Sequence, residues 1–222
     1  MATASKQTSP LWEILFPSEG DPNLATYTIL DGAACEDLLP MLEMHAPDHC
    51  CLYAGDLDDD VEEVAPYLVR LEADHPFTAW LLEAIGQKPW GIFCKAPSTL
   101  RELRKHFRQF LIVKGPEGGN LYFRYYDPRV FSTFLPSCES IQVGVLFGPV
   151  DVFFTLVGTM LIQSFRHDQG TLSASVAHQG VPLKPSAGGW VSATTLDFPP
   201  NAPNDTRLGT TPIVSEHWRV KM

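Results

Sequence analysis

The sequence lacks the long apolar run that a membrane-spanning helix needs. Its longest apolar stretch, residues 152–165, is interrupted by Gly158 and Thr159 and is shorter than the roughly 20 residues that cross a bilayer. Residues 1–10 contain one lysine and no apolar segment of the kind found in secretory signals. We therefore expect a cytoplasmic protein with no membrane insertion.

Basic residues are also scarce. The chain has 26 Asp and Glu residues against 16 Lys and Arg residues, which gives a formal net charge of −10. A charge of this sign repels nucleic acid at long range. We therefore expect no nucleic-acid partner.

The sequence has neither paired cysteines nor a familiar catalytic motif. Its five cysteines show no CxxC spacing, and their odd number favours reduced thiols without a disulfide or structural zinc. His45 and His49 are four residues apart, but Pro47 disfavours the continuous helix that would aim both at one metal. No GxSxG, P-loop, GxGxxG or HExxH run occurs. These absences favour a binding protein with no cofactor and no catalytic residue over an enzyme.

Strand-like and helix-like segments alternate along most of the chain. The 45% content of hydrophobic residues is enough for a folded core. Glycines within residues 114–120 and at Gly158 are typical of hairpin turns, which join antiparallel strands. We therefore predict an α/β (mixed α+β) fold with a mixed β-sheet flanked by helices.

Three regions follow from the composition. Residues 1–23 form an N-terminal segment with a possible short helix at 9–16. Residues 24–150 form the core domain. Residues 151–222 form a β-hairpin and an extended, proline-containing tail.

The strongest local pattern lies at residues 121–129. Alternation predicts a strand over 121–126 with Tyr122, Arg124 and Tyr126 on one face. Asp127 then suits a helix N-cap, with Pro128 at the first helical position. Aromatic and arginine side chains on one face are typical of binding hot spots, so these residues are candidate partner contacts.

Two other interpretations of this segment stay open. In the simpler one, Asp127 caps its helix and pairs with an arginine. In the other, Arg124, Asp127 and Arg129 form an anion- or small-ligand-binding site, in a binding protein or an enzyme.

Two segments carry a strong net charge. Residues 56–63 hold six acids, among them Asp58, Asp59 and Asp60, and residues 101–108 of the helical segment 99–110 carry four basic side chains against the single acid Glu102. The basic group consists of Arg101, Arg104, Lys105 and Arg108. Each segment is either an ordinary solvated face, and the two could face each other, or a secondary docking site for a separate partner.

Six short sequence runs, taken in chain order along residues 51–150, form the basis of a family resemblance. They are Cys51-Leu52-Tyr53-Ala54-Gly55, Ala65-Pro66-Tyr67-Leu68-Val69-Arg70-Leu71, His75-Pro76-Phe77-Thr78, Trp90-Gly91-Ile92-Phe93, Asp127-Pro128-Arg129 and Phe147-Gly148-Pro149-Val150.

In these runs, residues 24–150 resemble the effector chaperones of bacterial type VI secretion, the Tap/TEC adaptor family. The resemblance implies a non-catalytic adaptor with two partners. One is the N-terminal region of a type VI effector, and the other is the VgrG spike protein.

Overall fold

The computed structural model describes residues 9–86, 88–114, 119–157 and 161–178. Its helices are α1 (Pro10–Leu15), α2 (Leu38–His45), α3 (Asp59–Glu63), α4 (Pro76–Ile85), α5 (Leu100–Phe107), α6 (Pro128–Ser137) and α7 (Ser140–Phe147). Its strands are β1 (Ala25–Asp31), β2 (His49–Cys51), β3 (Pro66–Leu71), β4 (Gly91–Ala96), β5 (Ile112–Lys114), β6 (Asn120–Tyr122), β7 (Val152–Val157), β8 (Leu161–Asp168) and β9 (Thr171–His178). Short 3-10 turns occupy Gly32–Ala34 and Arg108–Phe110.

Seven strands form one sheet in the order β2-β3-β1-β4-β7-β8-β9, and β5 pairs with β6 in a separate ladder. The predicted mixed α+β class is confirmed. The pairing differs from the mixed sheet that we expected, because every strand pair within the described ranges is antiparallel. The reason is that β3 lies between β1 and β2, which run in the same direction. Alternation of strands and helices therefore produces no parallel pair here.

Helices cover both faces of the sheet. On one face, α5, α6 and α7 pack against a cluster that includes Ile29 of β1 and Phe153 of β7. On the other face, α1, α2 and α4 pack against a second cluster that includes Leu30 and Phe93. Successive residues of one strand, such as Ile29 and Leu30, thus enter different clusters, as the strand period of two requires. The result is a three-layer arrangement.

Local signals set several helix starts. Thr99 and Glu102 form the predicted capping box of α5, with the Glu102 backbone N–H donating to Thr99 Oγ1 at 3.3 Å. Asp127 is the N-cap of α6, and Pro128 is its first residue, as predicted. Ser9 caps α1 by accepting from the Trp12 backbone N–H at 3.2 Å.

Two buried polar side chains attach α1 to the sheet. Lys95 of β4 donates from Nζ to the Ile14 carbonyl oxygen at 2.8 Å, and Thr26 of β1 donates to the Leu15 carbonyl oxygen at 3.0 Å. Both acceptors lie at the end of α1, where helix carbonyls have no partner within the helix. Burial lowers the pKa of Lys95 to about 8. These contacts fix α1 against the pair of central strands.

Strands β7, β8 and β9 continue the same seven-stranded sheet. The start of the extended tail, predicted from residue 171 onward, is strand β9, whereas the turn predicted around Gly158 and the tail past residue 178 lie outside the described residues. The division of the chain at residue 150 stays a prediction. No helix within the described ranges is both long enough and apolar enough to cross a bilayer.

A half-buried histidine joins α5 to α7. His106 Nε2 lies 2.9 Å from the Leu146 carbonyl oxygen, which only accepts, so Nε2 carries the hydrogen. The imidazole ring also packs against Phe107 and Phe110. Burial disfavours the charged imidazolium and lowers the pKa of His106 below its ordinary value.

This histidine is expected to weaken the fold in mild acid. Around and below about pH 6.5, the unfolded chain binds a proton at His106 more readily than the folded chain does. The free energy of unfolding should therefore fall as the pH falls through this range. The stability that neutral His106 contributes should be fully present above about pH 6.5. Urea unfolding at several pH values, for wild type and His106→Gln, tests this. The free energy of unfolding should change less steeply with pH in His106→Gln than in wild type. Equal pH dependence in the two proteins would contradict the lowered pKa of His106.

Candidate functional site

Four of the six runs meet at one end of the main sheet. At this end β1 finishes at Asp31 and β2 finishes at Cys51, while β3 and β4 begin. Helix α6 is brought to the same place by an ion pair between Arg124, just before α6, and Asp31. We call the group Asp31, Tyr53, Arg124, Tyr126 and Asp127 the β1 corner.

The ion pair of Arg124 with Asp31 is the centre of the β1 corner. The Asp31 carboxylate is almost completely buried, and its Oδ1 also accepts from the Ala33 backbone N–H at 3.1 Å. The Arg124 side chain is 48% exposed. The arginine therefore neutralises a buried acid and still reaches the surface.

Sequence reasoning missed Asp31. The signal available was an acid at the end of the apolar strand segment Thr28-Ile29-Leu30, because a carboxylate is rarely buried unless it is paired. Its partner lies 93 residues further along the chain, and no local pattern identifies such a partner.

Tyr126 does not share an exposed face with Tyr122 and Arg124, so this part of the prediction is wrong. Strand β6 ends at Tyr122, and the chain turns at 124–127, with the Asp127 backbone N–H donating to the Arg124 carbonyl oxygen at 3.1 Å. The turn breaks the alternation and buries both Tyr125 and Tyr126. Burial raises the pKa of Tyr126, the neighbouring Tyr53 raises it further, and Arg124 lowers it. Tyr126 is therefore a buried member of the β1 corner and is not a surface contact.

Asp127 and Arg129 form a local pair, as the simpler interpretation predicted. Asp127 Oδ1 accepts from the Arg129 backbone N–H at 2.9 Å and from Arg129 Nε at 3.0 Å. The second carboxylate oxygen accepts from Arg129 at 2.6 Å. Burial alone raises the pKa of Asp127, but the hydrogen bonds from Arg129 outweigh it, and the pKa lies below its ordinary value. This pair fixes the start of α6.

An exposed apolar surface adjoins the β1 corner. Tyr122 is 75% exposed, and Ile112 lies opposite it in the β5–β6 ladder and is 53% exposed. Leu121, on the other face of the ladder, is exposed as well. The Tyr122 ring contacts the Tyr53 ring edge-on, at 6.2 Å between centroids. We call Ile112 and Tyr122, which share one face of the ladder, the hairpin patch.

The two charged segments are neighbours. Arg104 of α5 donates from Nε to the Cys51 carbonyl oxygen at 3.0 Å. Burial raises the pKa of the Cys51 thiol, Glu62 raises it further, and Arg104 and Arg108 lower it. Asp58, Asp59 and Asp60 lie exposed at the start of α3. Tyr67, which pairs with Cys51, donates to the Glu62 carbonyl oxygen at 3.1 Å, so members of both charged groups lie near the edge strand β2.

The cysteines beside this edge are not activated. Burial raises the pKa of the Cys50 thiol to about 11, and the effect of the nearby Arg104 is smaller. A thiol with such a pKa is almost entirely protonated at neutral pH. The Cys50 thiol is therefore not prepared to act as a nucleophile at neutral pH.

The fold and the site together define a class: a three-layer domain whose exposed apolar hairpin adjoins a corner of internally paired charges. Residues 26–144, more than half of the chain, match the family described as "Domain of unknown function (DUF4123)". The chain therefore belongs to the DUF4123 family. Neither the curated proteins nor the solved structures contain a match to it. Strands β7, β8 and β9 lie beyond the matched residues.

Proposed function

We propose that this protein is a cytoplasmic, non-enzymatic adaptor that binds a type VI secretion effector and couples it to the VgrG spike. The observation that carries the proposal is the placement of the six runs. Five of them lie within the DUF4123 match, and four of the six meet at the β1 corner. The runs that carry the resemblance to the adaptor family thus share one end of the sheet, beside an exposed apolar surface.

The charges of the β1 corner favour protein contact over the binding of a small anion. Arg124 is paired with Asp31, and Arg129 is paired with Asp127. Each guanidinium is already neutralised by a carboxylate, so an added anion meets little net positive charge at this corner. The ligand-binding alternative is therefore the less favoured of the two.

The hairpin patch has the composition of an interface anchor. Tyrosine provides a large, rigid contact area and is enriched at binding hot spots. The Tyr122 ring packs edge-on against the Tyr53 ring, while most of the Tyr122 side chain faces solvent. A small apolar anchor with polar surroundings suits cargo that must be bound and later released.

The first test is a pull-down of the tagged, full chain from its own cytoplasm, with mass spectrometry of the retained proteins. We expect recovery of an effector and of VgrG. In Tyr122→Ala, recovery of at least one partner should fall about tenfold, the loss that corresponds to about 1.4 kcal/mol of binding free energy.

Met44→Ala is the matched control, because Met44 is also strongly exposed but lies on α2, on the opposite face of the sheet. It should retain both partners. Thermal melting must show that both variants remain folded. Recovery of neither an effector nor VgrG by the wild-type chain would overturn the proposed function.

A further inference from the structure

The exposed side of α5 carries a basic stripe. Its members recur at i, i+3, i+4 and i+7, the spacing that places side chains along one side of a helix. Leu103 and Phe107, on the other side, are fully buried in the core. We call Arg101, Arg104, Lys105 and Arg108 the α5 stripe.

The α5 stripe leads to the hairpin patch. Arg104 is bonded to the Cys51 carbonyl oxygen, and Tyr53, two residues later, contacts the Tyr122 ring. Arg108 opens the 3-10 turn Arg108–Phe110, which leads directly to Ile112 of the hairpin patch. The basic and apolar groups are therefore neighbours, linked through residues 51–53 and through the 3-10 turn.

The other flank of this surface is acidic. Helix α3 contains Asp59, Asp60, Glu62 and Glu63, and none of its residues is buried. The Glu62 carbonyl oxygen accepts from Tyr67, the residue paired with Cys51 of β2, and Arg104 contacts the Cys51 carbonyl oxygen, so both helices adjoin this strand. A segment bound across the hairpin patch would thus meet positive charge on the α5 side and negative charge on the α3 side.

We propose that this surface binds a segment of the effector with an aromatic or aliphatic anchor on the hairpin patch and acidic side chains along the α5 stripe. The inference rests on the proposed function and adds the chemistry of the partner. Charge complementarity orients the bound segment: its acidic part lies along the α5 stripe, because the opposite orientation would place these acids against the acidic helix α3. The net charge of −10 makes nucleic acid the weaker occupant of the stripe.

Photo-cross-linking tests the location. The full chain would carry p-benzoylphenylalanine at position 122 or, as the control, at position 44, and would be irradiated in its own cytoplasm. We expect position 122 to cross-link to an effector segment with an apolar anchor followed or preceded by acidic residues. Position 44 should give no such product.

Charge substitution tests the chemistry. The cross-linked segment, made as a peptide, should bind about tenfold more weakly to Arg101→Gln/Lys105→Gln than to wild type, and more weakly at high salt. The peptide with its acids changed to amides should show a similar loss. Lys88→Gln is the matched control, since Lys88 is exposed and lies over Trp90, which belongs to the cluster on the other face. Arg101 and Lys105 are both exposed, so glutamine at these positions should preserve the fold.

The outcomes separate the two proposals. Suppose that the chain retains the effector and VgrG but gives no cross-link at position 122, or that peptide binding is unchanged in Arg101→Gln/Lys105→Gln. Either result would overturn the proposed binding surface and leave the adaptor function standing. A cross-link to an acidic segment of an unrelated protein would support the surface and overturn the adaptor function. If the wild-type chain bound nucleic acid and Arg101→Gln/Lys105→Gln did not, the proposal that the α5 stripe binds an acidic effector segment would be overturned.

Discussion

Gly91→Ala is expected to lower the free energy of unfolding by about 3 kcal/mol or more, or to prevent folding. Gly91 lies opposite Leu30 in the pair of central strands β1 and β4. A Cβ atom at Gly91 would overlap the Ile29 carbonyl oxygen and would lie 2.9 Å from the Ile29 carbonyl carbon. These are backbone atoms held by the sheet, so they cannot move aside as the end of a flexible side chain would.

Gly119→Ala is the matched control for this prediction. Among the described residues, no atom lies within 4 Å of a Cβ placed at Gly119. Its effect on stability should stay within about 0.5 kcal/mol. Urea unfolding of the three proteins measures both values. If Gly91→Ala were as stable as Gly119→Ala, the close approach of β1 to β4 at this point would be wrong.

Arg124→Ala is expected to lower the free energy of unfolding by about 1–3 kcal/mol, because it leaves the buried Asp31 carboxylate without its charged partner. The loss should be below the 3–5 kcal/mol of a fully buried pair, because the Arg124 side chain is half exposed to solvent. One bond to Asp31 would remain, from the Ala33 backbone N–H.

A double-mutant cycle with Asp31→Asn isolates this pair. Arg124→Ala should cost less in the Asp31→Asn background, since no buried negative charge is then left unpaired. Arg70→Ala provides a comparison: the Arg70–Glu72 pair is at the surface, with 3.9 Å between its charged atoms, and should contribute less than about 1 kcal/mol. Equal costs of Arg124→Ala in the two backgrounds would show that Asp31 and Arg124 are not coupled.

This pair also affects the choice of variant for mapping an interface. A change at Arg124 alters stability and surface together, so a lost partner would have two explanations. Tyr122 contributes to the same end of the sheet, but most of its side chain faces solvent. It is the better residue for separating binding from folding.

Much of the local structure could be predicted because its causes lie within a few residues. The capping box of Thr99 and Glu102, the cap at Asp127 and the strands on either side of residues 114–120 all depend on neighbours in sequence. The plainer interpretation of Asp127 and Arg129 held for the same reason.

The remainder depends on contacts between distant residues. The insertion of β3 between β1 and β2 follows from how the strands bury both faces of the sheet, and no turn signal encodes it. Tyr126 was misplaced because the gain from burying Tyr125 and Tyr126 together outweighs strand alternation at the 124–127 turn. Asp31 was missed because its partner comes from a loop 93 residues later.

The strand order also has a consequence for synthesis on the ribosome. Strand β1 pairs only with β3 and β4 among the described strands, and the Ile14 carbonyl of α1 is held by Lys95. Loop closure over such separations is slow compared with the formation of a local hairpin. Strand β1 can pair with β3 first, but its other edge stays unpaired until β4 has emerged, whereas β7, β8 and β9 form from adjacent hairpins. The first-made part of this domain depends for its order on residues that are made later.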